Sequence, residues 1–247
     1  MPLARYLFSQ PPSFRPMKDR IHLLTTAARL RSENQSFALA TVVKINGSTY
    51  RRPGARMLIE QDGTTHGIIS GGCLEGEVAQ QAITLIEEGG TPQVLPFDLT
   101  DDDLILGFGT GCNGIVHVLI EPVPAPGRTD PTQLLDACLR DRYFGVLATV
   151  IDVPDGSDLL ARRLLLRDDG EVQGDLSEAD LRDAILAEAP AVRAEDRHQI
   201  QTITTAEGNV EVLFEIIQPP VRLVIFGTGH DVHPVVRMAK ELGWPVT

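Results

Sequence analysis

Apolar residues at Ile21, Leu24, Ala28 and Leu30 fall near helical spacing and predict a helix over 17–32. Residues 37–45, Phe-Ala-Leu-Ala-Thr-Val-Val-Lys-Ile, read as a buried strand. Segments 56–60 and 66–69 flank Asp62-Gly63, a strong hairpin signal. Ser70-Gly71-Gly72 leads into a predicted helix over 74–88, which Gly89-Gly90 stops. A strand near 93–97 precedes an acidic run at Asp98, Asp101, Asp102 and Asp103. The glycine-rich stretch 107–114, Gly-Phe-Gly-Thr-Gly-Cys-Asn-Gly, then opens a strand over 115–121. Pro122, Pro124, Pro126 and Gly127 mark a linker.

After the linker the pattern restarts with a predicted helix over 131–142. Val146-Leu147-Ala148-Thr149-Val150 echoes Ala38-Leu39-Ala40-Thr41-Val42. Segment 164–170 echoes 57–63, a helix over 181–188 stands where the first copy has 74–88, and 208–215 echoes 113–121. The period of about 100 residues is longer than a solenoid unit, so it predicts a duplicated half-domain. Shared αβ patterning without duplication is the alternative. The second copy has Pro154-Asp155-Gly156-Ser157-Asp158 in place of the basic loop, and no Ser-Gly-Gly-Cys. Arginines, glycines and cysteine are thus expected to be lost together. Where a scaffold is shared and loops differ, the loops of the first copy are expected to carry the chemistry.

A third segment opens at Pro219-Pro220. Residues 221–226 predict a strand, Gly227-Thr228-Gly229-His230 a tight turn, and 235–242 a helix stopped by Gly243 and Pro245. That order opens a Rossmann unit, although the acid expected some 20 residues on is absent. The predicted class is α/β: a duplicated αβ N-terminal domain with mixed sheets, then the truncated start of a Rossmann domain. The expected divisions are an arm at 1–16, a half-domain at 17–121, a linker at 122–130, a degenerate half at 131–218 and the Rossmann start at 219–247.

Composition narrows the function classes. A chain of 247 residues with 43% hydrophobic and 23% charged residues suits a globular protein of one large or two modest domains. No apolar run approaches the roughly 18–20 residues of a membrane span, and residues 1–20 lack a signal peptide's apolar core. Three cysteines predict no disulfide framework and a cytoplasmic location. A net charge of -12 with 5% aromatics argues against nucleic acid as a partner.

Within this acidic chain, no Asp or Glu lies between Glu33 and Glu60, and that window holds Gly47, Ser48, Arg51, Arg52, Gly54 and Arg56. Such an island handles an anion: guanidinium groups take phosphate in a bidentate fork, and glycines let backbone N–H groups approach it. A solvated loop with ordinary surface arginines is the alternative. Nearby, Ser70, Gly71, Gly72, Cys73 and Glu75 form a second cluster. Cys73 at a helix N-terminus favours thiolate, which suits a soft metal or a persulfide. Gly111 and Cys112 sit in the second glycine-rich turn, and Cys73 with Cys112 are the candidate metal ligands. Both cysteines could equally be small side chains in tight turns. Cys138, at helical spacing with Leu134 and Leu135, is expected in the core. Gly227, Gly229 and His230 are candidate cofactor contacts, and no residue is assigned a catalytic role.

The stretch Gly-Ser-Thr-Tyr-Arg-Arg-Pro-Gly-Ala-Arg-Met at 47–57, with Ile-Ser-Gly-Gly-Cys-Leu-Glu at 69–75, resembles the N-terminal domain of the XdhC/CoxI family. The 107–114 cluster and the 227–230 turn are similar to the same family, so the resemblance spans essentially the whole chain. Tyr50 departs from it, standing where the family often has proline. The resemblance implies a maturation factor that binds molybdenum cofactor (molybdopterin), protects it during sulfuration and delivers it to a xanthine dehydrogenase-type apo-enzyme. It further implies a cysteine desulfurase as a partner. Arg51, Arg52 and Arg56 would then hold the phosphate, and Cys73 and Cys112 would offer soft ligands. Two other readings stand beside it: an oxidoreductase using NAD(P) at Gly227–Gly229, which requires a complete Rossmann domain, and a non-catalytic docking scaffold. A homodimer is expected to cover the surface left by the lone βα unit.

Overall fold

The computed structural model describes residues 17–99 and 113–247. In chain order these form α1 (Met17–Ser32), β1 (Phe37–Ser48), β2 (Arg56–Glu60), β3 (Thr65–Gly67), α2 (Glu75–Glu87), β4 (Gln93–Asp98) and β5 (Asn113–Val123). The second half follows with α3 (Pro131–Asp141), β6 (Gly145–Asp152), β7 (Arg163–Arg167), β8 (Val172–Gly174), α4 (Ala179–Glu195), β9 (Gln199–Thr205) and β10 (Gly208–Ile217). Last comes α5 (Val232–Glu241).

Two five-stranded sheets result, ordered β3-β2-β1-β5-β4 and β8-β7-β6-β10-β9. Every neighbouring pair in them is antiparallel, which corrects the expectation of mixed sheets. The reason is the route of the chain. Helix α2 carries it from the β3 edge to the β4 edge, so these two like-directed strands never meet. Among the described residues, parallel pairing occurs at Leu223 and Val246, on either side of α5.

The two sheets share one plan down to register. Thr41 faces Arg56 as Thr149 faces Arg163, and Leu39 faces Glu121 as Leu147 faces Glu215. Side chains alternate across a strand. Ala38, Ala40 and Val42 therefore pack outward against Val78 and Ala82 of α2, as Val146, Ala148 and Val150 pack against Leu181 and Ile185 of α4. The alternate residues face inward. Leu39, Leu58, Leu147 and Leu165 join α1 and α3 in one cluster, and Val43 and Leu119 meet Ile151 and Leu213 in another. Strands β1 and β6 are thus buried on both faces, which is why they carry apolar residues without alternation. Cys138 lies in the inner cluster, as expected, and burial pushes its thiol pKa up to about 11.

Two ion pairs cross between the inner faces. Arg56 Nη2 reaches Glu215 Oε2 at 2.5 Å, and Arg163 Nη2 reaches Glu121 Oε2 at 2.5 Å. Each arginine also donates to a carbonyl two residues before it, Gly54 O or Ala161 O. The pairs are reciprocal, as in a two-fold dimer interface within one chain. Burial pushes the Glu121 carboxyl above the ordinary carboxylate range, and the Arg163 charge pulls it back only in part.

Several boundaries move. The 66–69 strand ends at Gly67, whose φ of 99° turns the chain out of the sheet. Strand β5 runs on through Pro122, opposite Ala38, and so takes in the first residues expected in the linker. Helix α4 continues past Pro190 to Glu195, because buried Ala189 and Val192 hold its last turns against the sheet. Helix α3 starts at Pro131, where Asp130 accepts from Thr132 N at 2.8 Å.

Candidate functional site

The β1–β2 connection lines a cavity of about 200 Å³. Tyr50, Arg51, Arg52, Gly54, Ala55 and Arg56 come from this loop, Gly67 and Ile68 from the end of β3, and Arg20, Leu23 and Leu24 from α1. The loop leaves β1 through Gly47 and returns through Gly54, at φ values of 95° and 83° that favour glycine. Thr49 Oγ1 donates to Arg51 O at 2.7 Å and pins the turn. Gly47 and Ser48 pair with Gly114 and Asn113 of β5. A Cβ on Gly114 would lie 2.4 Å from Asn46 O, so the end of the second glycine cluster is pressed against the start of the basic loop. Asp101, Gly111 and Cys112 lie outside the described residues.

The arginines divide by role. Arg56 is committed to Glu215 and to Gly54 O. Its equivalent is Arg163, so the expectation that the second half has lost every arginine of the loop is corrected for this position. Arg51 and Arg52 are the ones set apart. Arg51 is half-buried, with its guanidinium 5.6 Å from the Tyr50 ring centroid, and Arg52 is exposed. Three buried side-chain N or O atoms lack a hydrogen-bond partner among the described residues: Arg51 Nε, Arg56 Nε and Arg167 Nε. Two of the three belong to residues lining this cavity.

The second cluster is a turn held by Glu75. Its carboxylate accepts from Ile69 N at 3.1 Å, Ser70 N at 2.8 Å and Ser70 Oγ at 2.5 Å. Ser70 Oγ in turn accepts from Gly72 N and Leu74 N. Glu75 therefore shapes the loop rather than facing an open site. Cys73 stands exposed on this turn, two residues before α2. The two clusters meet where a Cβ on Gly71 would lie 3.7 Å from Tyr50 Cγ. The turn has no counterpart in the second half: Gly174 corresponds to Gly67, yet α4 starts at Ala179, whereas α2 waits until Glu75. Likewise Ala161, at φ 64°, stands where Gly54 does.

Burial pushes the Glu75 pKa up, but hydrogen bonds from Ser70 and Ile69 outweigh it and hold it below the usual 4.5. The stability it contributes is complete above pH 4.5 and is lost as pH falls through the lower folded value. Glu75→Ala should cost ~1–2 kcal/mol at pH 7 and flatten this acid limb. Urea unfolding at pH 7 and at acid pH measures both.

The remaining candidates lie elsewhere. Gly227, Gly229 and His230 precede α5 and are not among the cavity's lining residues. Their segment meets the rest of the chain where Lys18 Nζ approaches Glu241 Oε2 at 2.6 Å, and where Gly243 packs on the start of α1. Among the described residues no group of three or more His, Cys, Asp or Glu side chains is placed to hold a metal. No described helix is long and apolar enough to cross a membrane. Sequence reasoning missed Arg20, Leu23, Leu24 and Ile68 as cavity walls. Their only signal is the amphipathic pattern, which reads as core.

Comparison with known proteins gives this geometry a context. The sequence model of the XdhC and CoxI family matches residues 30–98 and 138–204, one stretch in each half. A probable xanthine dehydrogenase subunit of Bacillus subtilis (strain 168) is 31% identical over 220 residues, 88% of this chain and 60% of that protein. The molybdenum cofactor insertion chaperone PaoD of Escherichia coli (strain K12) is 28% identical over 107 residues, 43% of this chain and 34% of its own. A crystal structure described as a xanthine dehydrogenase from Bacillus halodurans superposes with a TM-score of 0.66 at 28% identity, covering 92% of this chain and 61% of that one. The chain therefore spans about 60% or less of the length of these relatives. With matches in both halves that together take in more than half of its residues, the chain belongs to the XdhC and CoxI family.

Proposed function

We propose that this chain binds molybdenum cofactor as cargo, shields it during sulfuration and delivers it to a xanthine dehydrogenase-type apo-enzyme. The observation that carries the reading is the pair of unpartnered buried N–H donors, Arg51 Nε and Arg56 Nε, on residues lining one cavity. A buried donor without an acceptor is costly, and an anionic ligand relieves that cost. The cavity offers cationic groups beside apolar walls from Leu23, Leu24 and Ile68, which suits a planar heterocycle bearing a phosphate. Membership of the family and the name of PaoD support the same cargo.

When bound, the cofactor supplies a dithiolene-held molybdenum and a phosphate tail. Arg51 and Arg52 would hold the phosphate. Arg56, already balanced by Glu215, would fix the wall and offer only its free Nε. Cys73, exposed on the Glu75-braced turn beside Tyr50, would face the metal end as a soft ligand and as the place where a desulfurase partner brings sulfur.

The test is molybdenum and pterin content of the chain purified from a host that makes the cofactor. Wild type should carry both together. Arg51→Ala with Arg52→Ala should lower the load about tenfold or more, the loss expected for charge-assisted contacts. Wild type free of pterin, or a double variant loaded like wild type, would contradict the reading.

A further inference from the structure

Tyr50 is 70% exposed, although one face of the β1–β2 loop offers it apolar cover. The chain has only three tyrosines, and this one sits where the two clusters peculiar to the first half touch. Its ring lines the cavity, with the Arg51 guanidinium 5.6 Å from its centroid. On the other cluster, Gly71 has no backbone need to be glycine, since its φ lies outside the left-handed region. What its missing side chain leaves is space. A Cβ there would sit 3.7 Å from Tyr50 Cγ, 3.9 Å from Cδ1 and 4.0 Å from Cβ, in ordinary contact with the ring. Ile68, 47% exposed, continues the apolar wall beside it.

We infer that Tyr50 is the stacking platform for a planar heterobicyclic ligand, and that Gly71 is small so that the ring face stays open. The inference rests on the cofactor reading above and assigns the pterin end of the cargo to Tyr50 and the phosphate end to Arg51 and Arg52. An aromatic ring in this position selects by shape and π-surface, whereas the arginines select by charge. A guanidinium near the same ring helps to hold it in a fixed orientation before the ligand arrives. Tyr50 is a binding residue on this account, with no role in bond making.

The test uses pterin-6-carboxylate, a fluorescent planar probe, and inorganic phosphate, each titrated into the full chain. Pterin binding is read by fluorescence anisotropy and phosphate binding by equilibrium dialysis. Tyr50→Phe should bind the pterin as wild type does. Tyr50→Ser and Gly71→Ala should each weaken it about tenfold, the loss typical of one stacking contact, with phosphate binding unchanged. Arg51→Ala should weaken both probes. Pterin binding that survives Tyr50→Ser and Gly71→Ala overturns the stacking assignment and leaves the cofactor reading intact. A wild-type chain that binds phosphate and no pterin overturns both. Equal loss of phosphate and pterin in Tyr50→Ser also overturns it, since that would make Tyr50 a brace for the loop.

Discussion

Arg163→Met should destabilise the fold by about 3–5 kcal/mol, while Arg163→Met combined with Glu121→Leu should recover most of that loss. The asymmetry follows from where the charges lie. Arg163 is 2% exposed and Glu121 5%, between the inner faces of the two sheets. Removing the arginine alone strands a carboxylate that has no water to turn to, and Ala161 O loses its donor. Removing both charges leaves an apolar contact of similar volume, which the surrounding leucines accept. The equivalent experiment on Arg56 and Glu215 should give the same signs, with a smaller single-variant cost because Arg56 borders the cavity and solvent can reach it. Urea unfolding of the four variants decides this. Equal losses for the single and double variants would show that the pair itself, rather than the stranded charge, sets the cost.

Gly174→Ala is the second large effect, at ~3–4 kcal/mol. Its φ of 144° disfavours any side chain, and a Cβ would lie 2.1 Å from Arg163 O. That carbonyl belongs to the strand that positions the buried arginine, so the clash has no soft neighbour to absorb it. Gly67→Ala meets the same obstacle at 2.5 Å from Arg56 O. Gly72→Ala is the control: its φ is 111°, yet nothing lies within 4 Å of the added atom. It should cost only the ~1–2 kcal/mol of backbone strain. Thermal unfolding of the three variants should rank them accordingly, and a Gly72→Ala loss equal to that of Gly174→Ala would refute the steric account.

Helix and strand positions in the first half were legible because burial there follows a simple period. The 17–32 helix matches α1 (Met17–Ser32) in the structure, and Asp62-Gly63 turns β2 into β3. Strand β9 escaped notice. Its sequence, Gln-Ile-Gln-Thr-Ile-Thr-Thr, is polar and half-exposed at a sheet edge, where the ladder with β10 supplies the order that hydrophobicity does not. The direction of strand pairing was likewise illegible, since an apolar strand looks the same beside either kind of neighbour. For the site, the arginines and glycines announced themselves by charge and spacing. The walls contributed by α1 did not, because Leu23 and Leu24 carry the same signature whether they meet a core or a cavity.

By itself the sequence determined the element order, the internal repeat, the basic island in an acidic chain and the kinship of its motifs. These depend on local propensity, hydrophobic period and residue identity, all of which are written along the chain. Only the tertiary structure decided what Arg56 is for. In the sequence it is one of three equivalent arginines, but the fold brings Glu215, 159 residues away, to within 2.5 Å of it. The same fold withholds any such partner from Arg51 Nε. Which guanidinium is spent on the scaffold and which is left for a ligand depends on long-range contact, and long-range contact exists only once the two sheets have packed.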